Sequence, residues 1–400
     1  MKRLMFYCQH ILGIGHLIRS MEIIKGLTAD FEVCFVNGGE VIHDFPIPDD
    51  VDVVNLPALK TDSEFRALQV PEGFDDVESA MAFRRDRLLE VCDRLQPDVL
   101  MVELFPFGRR KFSPELIPLI ERARAMGTKV VSSLRDIVVT KQDQERHEAK
   151  VCKLMNRYFD QLLIHGDPQF MPLERSFSRV ADLECPVYYT GYVVQGDSHT
   201  PTEITNAASI PQPLLLVSVG GGRFGHELLD CVAEAAEYLE QQIPHQIQMF
   251  TGPFSPDSVV QRMQAIAHQQ PNLTVERYTP NLLAYMSRAD LSISMAGYNT
   301  TMNVLTTGVR SLLLPFKGND DQEQSIRSER LEELGVVSVI RPDDLNPERF
   351  AQRVVDMLAQ TPSPMTFDLN GVTNTATYVR ELCAGRLSLS QKAISPASVA

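Results

Sequence analysis

The chain has 400 residues, 44% of them hydrophobic, and a formal net charge of −14. The length predicts two domains, and the apolar content suffices for two cores, which excludes wholesale disorder. The negative balance excludes a general nucleic-acid binder, whose surface has to attract phosphate.

In chain order, Arg3 to Cys8 is predicted as a short apolar strand. A glycine loop, Gly13-Ile14-Gly15-His16, follows it and leads into a helix ending near Leu27. Phe31 to Val36 and Val51 to Leu56 are further strands, and Val77 to Leu95 has the apolar spacing of a helix. Val99 to Leu104, Lys129 to Leu134 and Gln161 to His165 complete an alternation of strands and helices, the pattern of a parallel doubly wound sheet. Gln195 to Gln212 is polar and reads as a linker.

The pattern then restarts. Leu214 to Val219 is an apolar strand, followed by Gly220-Gly221-Gly222-Arg223 and a helix from about Glu227 to Gln241. Ile247–Phe250, Leu273–Arg277, Leu291–Ser294 and Ser311–Leu314 are the later strands. Pro347 to Cys383 reads as helical, and the Ser- and Ala-rich residues 386–400 as a disordered tail. The seven cysteines are dispersed and form no C-x-x-C pair, the usage of reduced, mostly buried thiols in a cytoplasmic protein. No apolar run approaches the roughly 20 residues that span a bilayer, which leaves peripheral contact with the inner membrane face compatible with the sequence.

Four segments could carry chemistry. In the first loop the glycines allow close backbone approach by a ligand, the helix start offers N–H groups, and His16 is of the right type for a general base. The other reading of the loop is a plain strand–helix turn with a capping His. The spacing departs from G-x-G-x-x-G, so a nicotinamide reading loses support. The second loop places three glycines after a buried strand, where a diphosphate could meet Gly221 and Gly222 with Arg223 as counter-charge. Around Gly297, the residues Asn299, Thr300 and Thr301 could either cap a helix or meet phosphate oxygens. The polar loop Pro315 to Gln324, beyond the strand Ser311–Leu314, could bind sugar hydroxyls or simply be a solvated acidic loop. Asp50-Val51-Asp52 has the form of a metal–diphosphate D-x-D without its context, and no metal site is expected. Arg109, Arg110 and Lys111 form a small basic cluster, and Arg135-Asp136 closes a strand.

Together these segments resemble the bacterial peptidoglycan N-acetylglucosaminyltransferase family, which carries the glycosyltransferase family 28 C-terminal domain. The likeness rests on Gly220–Gly222, Ser294–Asn303, Asp321-Gln322-Glu323-Gln324 with Arg327, and the first loop with His16. Phe105-Pro106-Phe107-Gly108-Arg109-Arg110, Ser133-Leu134-Arg135-Asp136 and His165-Gly166-Asp167-Pro168 look closer to a group of predicted bacterial glycosyltransferases of unassigned substrate. The resemblance implies a GT-B fold, two Rossmann-like doubly wound domains facing a cleft. Residues 1–195 would form the acceptor-side domain, 196–212 the linker and 213–345 the nucleotide-sugar domain, with helices in 346–385 returning to the first domain. The implied reaction moves a sugar from a UDP- or dTDP-linked donor to an acceptor hydroxyl with inversion, without metal or added cofactor. His16 would be the base. Gly221, Gly222, Arg223, Gly297, Asn299, Thr300, Asn303, Glu323 and Gln324 would bind the donor, and Gly13, Gly15, Arg109 and Arg135 would lie on the acceptor side. Asn303 stands where the family carries a ribose-binding glutamate. An amide lacks the carboxylate's charge-assisted strength, so the nucleotide is left open. The alternatives are a sugar-nucleotide 2-epimerase and a non-catalytic nucleotide- or glycan-binding homologue.

Overall fold

Leu4, Phe6 and Cys8 of the first strand enter one apolar cluster, while Met5 and Tyr7 enter another. A strand buried on both faces needs helices on both sides, which is the doubly wound arrangement. A computed structural model shows it, describing residues 1–11, 15–42, 45–61, 68–139, 143–196, 212–316, 318, 322–361 and 365–386.

The first unit spans Met1–Val194 and resumes at Phe367. Its elements are β1 (Lys2–Cys8), α1 (Gly15–Leu27), β2 (Phe31–Asn37), β3 (Val51–Asn55), the short antiparallel pair β4 (Lys60–Thr61) and β5 (Leu68–Gln69), α2 (Val77–Leu95), β6 (Val99–Glu103), α3 (Ser113–Ala125), β7 (Lys129–Arg135), α4 (Gln144–Tyr158), β8 (Gln161–His165) and β9 (Val187–Tyr189). Among the described residues the sheet order is β3-β2-β1-β6-β7-β8-β9, all parallel. The order reverses between β1 and β6, the switch point at which such sheets bind ligands beyond their carboxyl ends.

The second unit runs from Gln195 to Thr366. It contains β10 (Leu214–Ser218), α5 (His226–Glu240), β11 (Gln246–Phe250), α6 (Asp257–Ala267), β12 (Leu273–Glu276), α7 (Leu282–Arg288), β13 (Leu291–Met295), α8 (Tyr298–Thr307), β14 (Ser311–Leu314), α9 (Glu323–Glu333), β15 (Ser338–Val339) and α10 (Pro347–Ala359). The parallel order β12-β11-β10-β13-β14-β15 repeats the first topology, with its switch point between β10 and β13.

Two expectations about the ends need restating. The stretch Pro347–Cys383 is two helices, because Pro362 and Pro364 stand in the sequence between them. α10 was expected to return to the first domain; instead it packs on α5, burying Phe350, Ala351 and Val354 in the second core. α11 (Gly371–Cys383) packs on α1 in the first unit, where Ala376 and Val379 join the core. Most of the expected linker (197–211) and tail (387–400) lies outside the described residues.

Candidate functional site

In the first domain buried polar side chains gather at the carboxyl ends of the strands beside the switch point. His16 is the second residue of α1, directly after Gly15. Glu103 ends β6, and its side chain is 1% exposed. His16 Nδ1 lies 2.8 Å from Glu103 Oε1, and Arg19, one turn along α1, donates to the same oxygen. Burial pushes the Glu103 carboxyl up, but His16, Arg19 and Arg109 outweigh it and hold it at about 2. Burial pushes His16 down to about 4, against the pull of Glu103, with Arg109 and Arg135 adding to the fall. At neutral pH the pair is therefore a carboxylate and a neutral imidazole. Nδ1–H donates to Glu103, so Nε2 keeps its lone pair.

Glu103 Oε2 is buried without a hydrogen-bond partner among the described residues. Arg109 sits nearby, after a turn in which two non-glycine residues, Leu104 and Arg109, take φ values of 64° and 57°. Left-handed backbone at non-glycine residues costs energy and concentrates at functional sites. Arg109 Nε is likewise buried without a hydrogen-bond partner among the described residues. Arg135, half-buried, ends β7 and pairs in register with His165. His165 is fully buried between Ser133 Oγ (2.8 Å from Nε2) and Thr190 Oγ1 (2.9 Å from Nδ1). Burial and then Arg19 push its pKa down to about 3. Gly13 lies outside the described residues.

Sequence reasoning singled out His16 but not Glu103 or Arg19. A glutamate closing the apolar run Val99–Val102 was the available signal. Asp52, from the D-x-D, is on β3 and faces Arg94 at 3.8 Å. Among the described residues no group of three His, Cys, Asp or Glu is placed to hold a metal ion.

In the second domain the loop after β10 is shaped by its glycines. Gly222 has φ +83°, and a Cβ there would fall 2.5 Å from Ser255 Oγ and Thr251 O. Gly252 presses on it from the neighbouring loop. His226 and Ser255 both hold Gly222 O, at 2.9 and 3.0 Å. Gly221 differs: it is exposed, and a Cβ would meet only Phe254, at 3.7 Å. The protein's own packing does not require glycine there. Gly222→Ala should therefore destabilise the second domain by about 2 kcal/mol or more in denaturant unfolding. Gly221→Ala should change stability by less than about 0.5 kcal/mol.

Arg223 is exposed, its guanidinium 4.9 Å from the Phe254 ring centroid. Gly297 caps α8, and nothing lies within 4 Å of a Cβ built on it. Asn299 and Thr300 follow in the first turn, whose N–H groups have no intrahelical acceptor. Thr301 Oγ1 donates back to Gly297 O, a bond within α8 that caps none of the first-turn N–H groups, and no described side chain caps this end. Asn303 is buried on the same helix. Glu323 was expected to face a sugar, but it is buried with its carboxylate 2.7 Å from Arg327, whose guanidinium lies over the Tyr298 ring. It ties α9 to α8. Gln324 Oε1 accepts from Phe316 N–H at 3.0 Å. Lys317 and residues 319–321 of the polar loop lie outside the described residues.

Residues 215–375 match the glycosyltransferase family 28 C-terminal domain, covering most of the second domain and the start of α11. Among curated relatives, the UDP-N-acetylglucosamine–N-acetylmuramyl-(pentapeptide) pyrophosphoryl-undecaprenol N-acetylglucosamine transferase of Methylobacterium radiotolerans is 23% identical over 170 residues, 41% of this chain and 46% of that protein. The chain thus spans less than half the length of that relative. Among solved structures, CalG4, the calicheamicin glycosyltransferase, superposes with a TM-score of 0.63 at 17% identity, covering 97% of this chain and 99% of that one. The UDP-GlcNAc 2-epimerase of Methanocaldococcus jannaschii gives 0.60 at 13% identity, covering 96% and 100%. At these identities the superpositions establish the GT-B fold. No helix among the described residues is long and apolar enough to cross a membrane.

Proposed function

We propose that this chain, a GT-B protein carrying a glycosyltransferase family 28 C-terminal domain, transfers a sugar from a nucleoside diphosphate to an acceptor hydroxyl. One observation carries the reading. In each domain the helix start singled out by the sequence follows the strand at the switch point of a Rossmann-ordered sheet, α1 with His16 after β1 and α5 behind the glycine loop after β10. The first domain offers a base and the second a site for an anion.

In the proposed step the acceptor oxygen attacks the anomeric carbon while the bond to the diphosphate breaks. The acceptor proton passes to His16 Nε2, and the bonding pair leaves with the diphosphate. Glu103 holds Nδ1–H and stabilises the imidazolium as it forms, and Arg19 fixes Glu103. The leaving charge meets the amides of Gly221 and Gly222, the start of α8 at Gly297, Asn299 and Thr300, and Arg223. These groups supply the stabilisation a metal would otherwise give. Glu103 is engaged by His16 and Arg19, which suits a single inverting displacement better than a covalent glycosyl-enzyme. Openness at Gly221 and Gly297 supports the donor site, since glycine there leaves room for a ligand to approach the backbone. Cytoplasmic action at the membrane periphery belongs to the same proposal.

Thermal unfolding with UDP, dTDP, GDP, ADP and NAD⁺ tests this. A nucleotide that binds only the folded state, at about 100 times its Kd, adds roughly 2.7 kcal/mol. Selective stabilisation by UDP or dTDP is expected. A response to NAD⁺ alone, or to no nucleotide, would overturn the proposal. Release of an altered sugar nucleotide without any acceptor would favour the epimerase reading.

A further inference from the structure

Phe224 belongs to the glycine loop after β10, and Phe316 lies two residues beyond β14. Their ring centroids are 4.5 Å apart with the planes at 44°. The sheet order β10-β13-β14 puts the outlet of β13, with Gly297, between the loops that supply the rings. Phe224 remains 44% exposed, although the loop around it is firmly seated. A Cβ on Gly225 would fall 2.7 Å from Met295 Sδ, and Gly222 is wedged against Gly252. Phe316 is held by its N–H bond to Gln324, and its ring lies against the backbone of Gly318. The pair is therefore a fixed apolar surface presented at the carboxyl edge of the sheet. A single exposed ring is ordinary, whereas here a second, partly buried ring pairs with it beside a glycine loop.

We propose that Phe224 and Phe316 form a platform for the sugar ring of the donor, with Gln324 beside it to hydrogen-bond a hydroxyl. This deepens the sugar-nucleotide reading above and rests on it. A pyranose has an apolar face of C–H groups and a polar hydroxyl edge. The β14 flank of the glycine loop offers both complements, an apolar aromatic pair whose Phe224 is exposed and an amide whose Nε2 carries two donors. A nucleoside diphosphate sugar has two arms on either side of its diphosphate. The other flank has its own aromatic surface in Phe254 and the exposed Tyr278, and there Arg223 already covers Phe254. The nucleoside arm belongs on that side.

Calorimetric titration separates the two arms. Phe224→Leu and Phe316→Leu remove the ring and keep an apolar side chain, and the wild-type chain and both variants are titrated with UDP, UDP-glucose, UDP-N-acetylglucosamine, dTDP and dTDP-glucose. Both substitutions should weaken the bound sugar nucleotide about five- to tenfold and leave the matching free diphosphate unchanged. Equal losses for the diphosphate and its sugar conjugate would overturn the platform and assign the rings to the nucleoside arm. Unchanged affinities for both would also overturn it. No binding of any nucleotide by the wild-type chain would overturn the sugar-nucleotide reading itself, a result distinct from the others.

Discussion

Replacing His16 with alanine is expected to lower turnover by about 10²–10⁴-fold while leaving nucleotide affinity unchanged. Glu103 fixes which ring nitrogen acts. Because its carboxylate lies 2.8 Å from Nδ1, that nitrogen carries the proton and Nε2 is left basic. With His16 held at about 4, the base form is fully present at neutral pH, and turnover should fall only as pH drops toward 4. Glu103→Gln is the sharper test, because glutamine keeps the shape and removes the charge that raises the basicity of His16. Its pH–rate profile should show a lower plateau and an acid limb moved to lower pH. A plateau equal to wild type would remove Glu103 from the mechanism, and undiminished turnover by His16→Ala would remove the base.

The same groups contribute to the acid stability of the first domain, beside the buried His165. The folded pKa of His16 lies near 4, below the ordinary 6.5, so between these values the native state binds fewer protons than the unfolded chain. Stability therefore rises with pH across that window and is lost as pH falls from 6.5 toward 4. Glu103, held at about 2 against an ordinary 4.5, extends the loss from 4.5 downward. Unfolding of His16→Ala followed from pH 7 to pH 4 should show a shallower decline than wild type. An identical slope would mean that His16 does not titrate as its burial requires.

Much of this was legible because apolar runs and glycines act locally. β8 and α2 fall on the residues their patterns predict, Gln161–His165 and Val77–Leu95. The second domain's sheet is readable strand by strand apart from β15, which is two residues long and offers no period to read. β9 escaped for the same reason. The ownership of α10 was hidden in another way. An amphipathic stripe announces that Phe350 and Val354 are buried, but not which helix covers them. The polar centre of the first site was the least legible. Arg19 and Glu103 are 84 positions apart, and a charged residue within an apolar stretch reads as a solvent-facing interruption until the fold supplies its partner.

Arg84→Ala should destabilise the first domain by about 3–5 kcal/mol, the range for removing one partner of a buried ion pair. Arg84 lies on the core-facing side of α2 and is 0% exposed. Its Nε donates to Glu115 Oε2 at 2.7 Å, Nη1 donates to the carbonyls of Gly38 and Pro57, and Nη2 reaches Gln9, Glu115 and the Tyr7 hydroxyl. One guanidinium thereby joins the outlets of β1, β2 and β3 to α2 and α3. Tyr7 donates to Glu115 Oε1 at 2.5 Å, and burial followed by the Glu115 charge pushes its pKa well above the usual 10. Alanine would strand the Glu115 carboxylate in the core with only Tyr7 as a donor in this cluster, and would leave the two carbonyls without their donor. Arg84→Met with Glu115→Leu removes both charges and should cost less than Arg84→Ala alone. Denaturant unfolding of the two variants decides the matter. A loss below about 1 kcal/mol for Arg84→Ala would show that solvent reaches the cluster and replaces the guanidinium.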